Sequence, residues 1–213
     1  SISVDIKKAA IVAQSTHQIM AKLYFNYSSM NAGKSTMLLQ ANHNYLERGM
    51  KPQIYTSDLD NRFGQGEIVS RIGLKAKSNI FSTETDIYEE ILIFKNKNQV
   101  DCVLIDEAQF LTKNQVTQLG RIVDRLNIPV LAFGIRTDFQ GNLFEGSKFL
   151  LAWADNLKEI KTVCHCGRKA TMVLRLNEDG MIVSDGSQIE IGGEEKYVSV
   201  CRKHFQEKDI GTS

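Results

Sequence analysis

Leu23-Tyr-Phe-Asn-Tyr27, continued by Ser28-Ser-Met-Asn-Ala-Gly33-Lys34-Ser35, is the stretch from which the rest of the chain can be read. The first five residues form an apolar and aromatic run of the length of a buried strand. The next eight match the phosphate-loop pattern G-x-x-x-x-G-K-[ST] at every fixed position except the first, where Ser28 stands in place of glycine. From Lys34 to Arg48 the pattern turns helical, and Gly49 supplies its C-terminal stop. Strand, loop and helix in this order predict a phosphate-binding turn over Asn31, Ala32, Gly33, Lys34, Ser35 and Thr36. Gly33 lets the backbone turn so that successive amides face phosphate oxygens, and the helix N-terminus adds positive potential. Lys34 brings a charge to the β- and γ-phosphates of ATP, and Ser35 a hydroxyl for Mg2+. The bland alternative is a Gly-Lys-Ser tripeptide that merely opens a helix.

Outward from this turn the chain alternates. Gln53-Ile-Tyr-Thr56 reads as a second strand, and the polar, glycine-bearing span 57–77 as a mobile loop. Asp86 to Phe94 is helical. Val100-Asp-Cys-Val-Leu-Ile105 is a buried strand that ends in Asp106-Glu107. Thr112 caps a helix running to about Leu126, with Gln115 at the third position of a capping box. Ile128 to Gly134 is another buried strand, Phe139 to Asn142 a turn, and Ser147 to Asp155 a helix. The fold class is therefore α/β, a parallel sheet flanked by helices. In such sheets ligands sit beyond the carboxyl ends of the strands. There Asp106 is placed to hold Mg2+, and Glu107 to take a proton from the attacking group. These motifs define an ATP site but leave kinase and ATPase open, because the second carboxylate serves a water or a sugar hydroxyl equally well.

The character changes near Ile160. Cys164 and Cys166 form one close pair, Cys201 and His204 a second, with the alternating run Ala170 to Leu176 and the Gly192-Gly193 loop between them. Thiolates and imidazole favour Zn2+, and four protein ligands make such a site structural rather than catalytic. His165 is a rival fourth ligand, although it points away from its neighbours if its segment is extended. The alternative is three ordinary cysteines in a reducing compartment. Cys102 reads as a small core residue, and His17 and His43 carry no partner pattern. The expected organisation is an extension over 1–19, disordered, with the natural start at Met20. An ATP-binding domain over 20–159, a β-rich zinc domain over 160–208 and a tail over 209–213 follow it.

Lys+Arg is 26 against Asp+Glu 25, so nothing in the net charge of +1 points to a non-specific nucleic-acid binder. No apolar run approaches a membrane span, and no secretory signal is evident in the opening residues. An ATPase acting on nucleic acid or protein and a non-enzymatic zinc-binding interaction module are the rival function classes.

The degenerate phosphate loop, the stretch Asp106-Glu-Ala-Gln-Phe110 and the stretch 191–201 (Ile-Gly-Gly-Glu-Glu-Lys-Tyr-Val-Ser-Val-Cys), in this order, resemble the cytosolic (type II) thymidine kinases, above all their enteric bacterial members. The resemblance covers about Ala21 to Phe205. It implies a RecA-like ATP domain, a small zinc domain and a lasso loop over the nucleoside, with the γ-phosphoryl group of ATP passing to the 5′-hydroxyl of thymidine. It makes Glu107 similar to the catalytic base and matches Asp60 and Arg62 to a loop acting near the phosphates. Met30, Phe110, Ile135 and Phe139 resemble the apolar lining of the base. Tyr197 resembles the lasso tyrosine, beside the backbone of Gln188, Ile189, Glu190 and Ile191. Val173 stands at the position facing the 5-methyl group, where some members carry threonine. The resemblance further implies a cytoplasmic homotetramer inhibited by thymidine triphosphate, with no nucleic-acid or membrane partner.

Overall fold

A computed structural model describes residues 20–30, 32–59, 66–70, 72–188 and 196–211. In chain order the elements are β1 (Leu23–Ser28), α1 (Lys34–Glu47), β2 (Pro52–Ser57), β3 (Glu67–Val69), β4 (Lys75–Lys77), β5 (Asn79–Phe81), α2 (Ile87–Lys95) and β6 (Cys102–Ile105). A 3-10 turn over Ala108–Phe110 leads to α3 (Lys113–Leu126), β7 (Val130–Ile135), α4 (Glu145–Trp153) and β8 (Asn156–Glu159). The remaining elements are β9 (Thr162–Val163), β10 (Lys169–Ala170), β11 (Met172–Leu176), β12 (Ile182–Val183), β13 (Lys196–Val200) and α5 (Arg202–Glu207). No described helix is long and apolar enough to cross a membrane.

Local chemistry sets several boundaries. Asp86 caps α2 by accepting from the Glu89 amide. Thr112 and Gln115 form the reciprocal capping box at the start of α3. The main sheet has the order β5-β2-β6-β7-β1-β8, and every pairing in it is parallel. Helices cover both faces, and β6 alternates between them. Val103 and Ile105 join Ile87, Ile91, Leu119, Ile122 and Leu150 from α2, α3 and α4 on one side. Cys102 and Leu104 meet Leu38 and Leu39 of α1 on the other. Burial on both faces is the condition under which a parallel sheet is stable.

The span 57–77 departs from the expected loop. Its described part pairs β3 with β4 antiparallel, and Ile68 is buried against the α1 side of the sheet. Beyond the main sheet, β9 and β10 form a short antiparallel pair, and β12-β11-β13 a separate antiparallel sheet. A small apolar cluster of Cys164, Ala170, Leu174, Val200 and Cys201 lies between them.

Candidate active site and cysteine cluster

The phosphate-type turn leaves the carboxyl end of β1, and Asp106-Glu107 leaves that of β6. One strand, β7, lies between them, so the two groups face each other across about 10 Å of sheet edge. Gly33 has φ 85°, a left-handed conformation that glycine adopts without a Cβ penalty, and its carbonyl accepts from the Met37 amide at 3.1 Å. Ser28 is buried. Its hydroxyl donates to the Ser29 carbonyl at 2.5 Å and accepts from Lys34 Nζ at 3.3 Å. The serine that departs from the pattern thus holds the lysine within the turn. Ser35 and Thr36 are half-buried in the first turn of α1, Ala32 is half-buried and Gly33 is exposed.

Asp106 is buried, and its Oδ1 accepts from the Glu107 amide at 3.0 Å. Glu107 is buried too and holds φ 50°, a left-handed value uncommon outside glycine. Its Oε2 accepts from Gln109 Nε2, whose Oε1 in turn accepts from the Ile135 amide at 3.2 Å. Ile135 and Phe139 are buried. Phe110 is half-buried and meets Phe144 edge-on, with centroids 5.8 Å apart. Met30 is half-buried, and its carbonyl accepts from Ser199 Oγ at 2.6 Å, while Ser29 Oγ donates to the Ala170 carbonyl at 3.4 Å. These two bonds tie the phosphate-type turn to β10 and β13.

Val173 is buried on β11 opposite Ser199, and Tyr197 pairs with Arg175 across the same sheet. Gln188 donates from Nε2 to Asp138 Oδ2 at 2.7 Å. Asn31, Asp60, Arg62, Ile189, Glu190 and Ile191 lie outside the described residues, as does the proposed extension over 1–19. Arg175 escaped the sequence reading. It is buried, lies 3.9 Å over the Phe139 ring, and donates to the carbonyls of Ser187 at 3.0 Å and Asp185 at 3.3 Å. A single charge in the run Met-Val-Leu-Arg-Leu was the available signal.

Cys164, Cys166, Cys201 and His204 converge. Their ligand atoms all lie within 4.8 Å of one another, and none of the cysteines is in a disulfide. Cys166 Sγ to Cys201 Sγ is 3.9 Å, Cys201 Sγ to His204 Nδ1 3.6 Å and Cys164 Sγ to His204 Nδ1 3.2 Å. Tetrahedral zinc, with bonds of about 2.3 Å to sulfur and about 2.0–2.1 Å to nitrogen, sets S···S near ~3.8 Å and S···N near ~3.6 Å. The four residues therefore fit that ion. The His204 backbone amide, the largest influence, holds the Cys201 thiol below its ordinary value, which favours the thiolate a metal needs. Gly167 donates to the Cys164 carbonyl at 2.8 Å, so the segment carrying His165 is a turn and not extended. His165 stacks on His204 at 4.3 Å instead of pointing away, and it stands outside the four. His43, expected to have no partner, approaches Glu47 at 3.1 Å on the exposed face of α1.

An all-parallel sheet with a glycine–lysine turn after β1 and carboxylates after β6 is the framework of a P-loop nucleotide-binding protein, here extended by a cysteine-bearing β region. The thymidine kinase family model matches residues 21–205, and the chain belongs to that family. It is 60% identical over 189 residues to a thymidine kinase of Mannheimia succiniciproducens, spanning 89% of this chain and 97% of the relative. It is 58% identical to that of Pasteurella multocida, spanning 89% and 98%, and 56% identical over 188 residues to that of Salmonella paratyphi A, spanning 88% and 92%.

Proposed function

We propose that this protein transfers the γ-phosphoryl group of ATP to the 5′-hydroxyl of thymidine, and accepts deoxyuridine as well. The observation that carries the proposal is the family match over 21–205, a span that contains every candidate site residue from Met30 to His204. Glu107 takes the proton of the 5′-hydroxyl as its oxygen bonds the γ-phosphorus. The bond from that phosphorus to the β,γ-bridging oxygen breaks, and ADP leaves with the electron pair. Lys34, held by Ser28, meets the phosphates together with the turn from Asn31 to Thr36, and Asp60 and Arg62 act beside them. Ser35 and Asp106 hold Mg2+, which neutralises charge on the phosphate oxygens. Met30, Phe110, Ile135 and Phe139 line the base, with Val173 toward its 5-position. Tyr197 and the backbone from Gln188 to Ile191 enclose the nucleoside and exclude water, which restrains ATP hydrolysis.

Cys164, Cys166, Cys201 and His204 hold structural zinc. The chain divides into an ATP-binding part over 20–159 and a zinc-binding part over 160–208. The assembly is a cytoplasmic homotetramer inhibited by thymidine triphosphate.

The test is Mg·ATP-dependent phosphorylation of thymidine, deoxyuridine, deoxycytidine, deoxyadenosine and deoxyguanosine, with a no-nucleoside control. Product from thymidine and deoxyuridine alone is expected. ATP hydrolysis without any phosphorylated nucleoside would overturn the proposal.

A further inference from the structure

Between the carboxylates and the apolar lining stands a side chain that no step above uses. Gln109 is 2% exposed, and its carboxamide is engaged at both ends. The orientation of that amide is fixed by chemistry. The Ile135 main-chain N–H can only donate, so Oε1 faces it and the amide NH2 must face Glu107. Glu107 in turn accepts through Oε2. The bridge spans neighbouring strands, from the end of β7 to the second residue after β6. Backbone fit tightens it. A Cβ placed on Gly134 would come within 2.9 Å of both the main-chain nitrogen and Oε1 of Gln109. β7 therefore approaches Gln109 as closely as a residue without a side chain permits. On its other flank Glu107 is held at φ 50° where the 3-10 turn begins, a conformation that persists only when the surroundings over-determine it.

We propose that Gln109 is a positioning residue for Glu107. Anchored on the Ile135 amide, its carboxamide grips one carboxylate oxygen and sets the plane of the Glu107 carboxylate for the nucleoside 5′-hydroxyl. Because Ile135 also belongs to the proposed base lining, the same bridge fixes the distance between the wall that seats the base and the group that takes the proton. Gln109 itself touches neither the transferred phosphoryl group nor the hydroxyl. The inference rests on the proposed role of Glu107, and its test separates the two.

The experiment is a double-mutant cycle in the full chain with Mg·ATP and thymidine, using Gln109→Met, Glu107→Gln and the double variant. Methionine keeps volume and removes the amide. Gln109→Met is expected to lower kcat roughly 10- to 100-fold, the cost of a reacting group misplaced by about 1 Å, while KM for ATP and for thymidine stays within about twofold. Placed on Glu107→Gln, it is expected to cost less than about threefold more, since residues acting as one unit are non-additive. Gly134→Ala, which removes no polar group but must displace Gln109, should lower kcat with the same non-additivity, and it serves if Gln109→Met folds poorly. Unchanged kcat in both single variants, or a full multiplicative loss in the Glu107→Gln background, would overturn the proposal for Gln109 and leave Glu107 as the base. Parent-like turnover by Glu107→Gln alone would remove the base itself, and the proposal with it.

Discussion

Cys102 and Cys201 put the same side chain to opposite uses, and the contrast divides the molecule. Cys102 sits fully buried in β6, where desolvation, the largest cause, pushes its thiol up to about 12. There it is a small apolar residue between α1 and the sheet. Cys201 sits at the start of α5, where the His204 amide pulls its thiol down and three further ligand groups stand within 4.8 Å. The main sheet closes on a core that includes Phe25, Phe81, Ile105 and Leu119. Among the described residues, the β9–β13 region closes on Cys164, Ala170, Leu174, Val200 and Cys201, two of them members of the cysteine–histidine cluster. A core of that size does not offset the entropy of ordering its chain without a covalent or metal staple. One region closes on apolar side chains, the other around four residues that fit a zinc ion.

Removing the metal should give the largest effect. Chelation, or Cys166→Ser, is expected to release most of the bound zinc and to abolish hydrogen-exchange protection across 162–176 and 196–205, while β1, β6 and β7 keep theirs. Equal loss in both regions would erase the distinction drawn here; it is read by exchange mass spectrometry beside metal analysis. Next, Glu107→Gln should cut kcat by roughly 10²–10⁴-fold with zinc content and Tm unchanged, which places the chemistry on the sheet side.

A smaller effect concerns alkaline stability. The folded Cys102 thiol keeps its proton to about pH 12 whereas the unfolded thiol loses it near 9.0. Its contribution is therefore complete below pH 9 and falls away as pH climbs toward 12, by about 1 kcal/mol per pH unit. Tyr45 and Tyr55, also raised chiefly by burial, add to the slope above pH 10. Urea unfolding at pH 8, 9 and 10 should show a shallower decline in Cys102→Ala than in the parent. The smallest effect belongs to the capping box: Thr112→Ala should cost about 1 kcal/mol in thermal unfolding of the sheet region, leaving metal retention as it was.

What the sequence disclosed depended on how local the signal was. The strand–turn–helix from Leu23, the Thr112 capping box and the Asp106-Glu107 strand end are written in neighbouring residues. The grouping of Cys164, Cys166, Cys201 and His204 was legible because their types are rare and their chemistry is narrow. Other features depended on partners distant in the chain. β8 is an edge strand whose Asn156, Leu157 and Lys158 are exposed, so it carries no alternation to read. β3 and β4 are three residues each and exist through their mutual pairing. The burial of Arg175 needs the carbonyls of Asp185 and Ser187 and the ring of Phe139. Ser28 looked like a departure from a pattern until its hydroxyl was found on Lys34.

The place of β1 bears on how the chain is made. In the main sheet it pairs only with β7 and β8, whose residues come more than a hundred positions later in the chain. The turn behind it then waits for Ser199, 169 positions further on, before the Met30 carbonyl finds its hydrogen bond. A nascent chain can complete the β2–β6 half before β7 has been made, but the phosphate-type turn acquires its full frame only after β13 has been made. A chain halted before β13 thus leaves the phosphate-type turn without the hydrogen bond that Ser199 supplies.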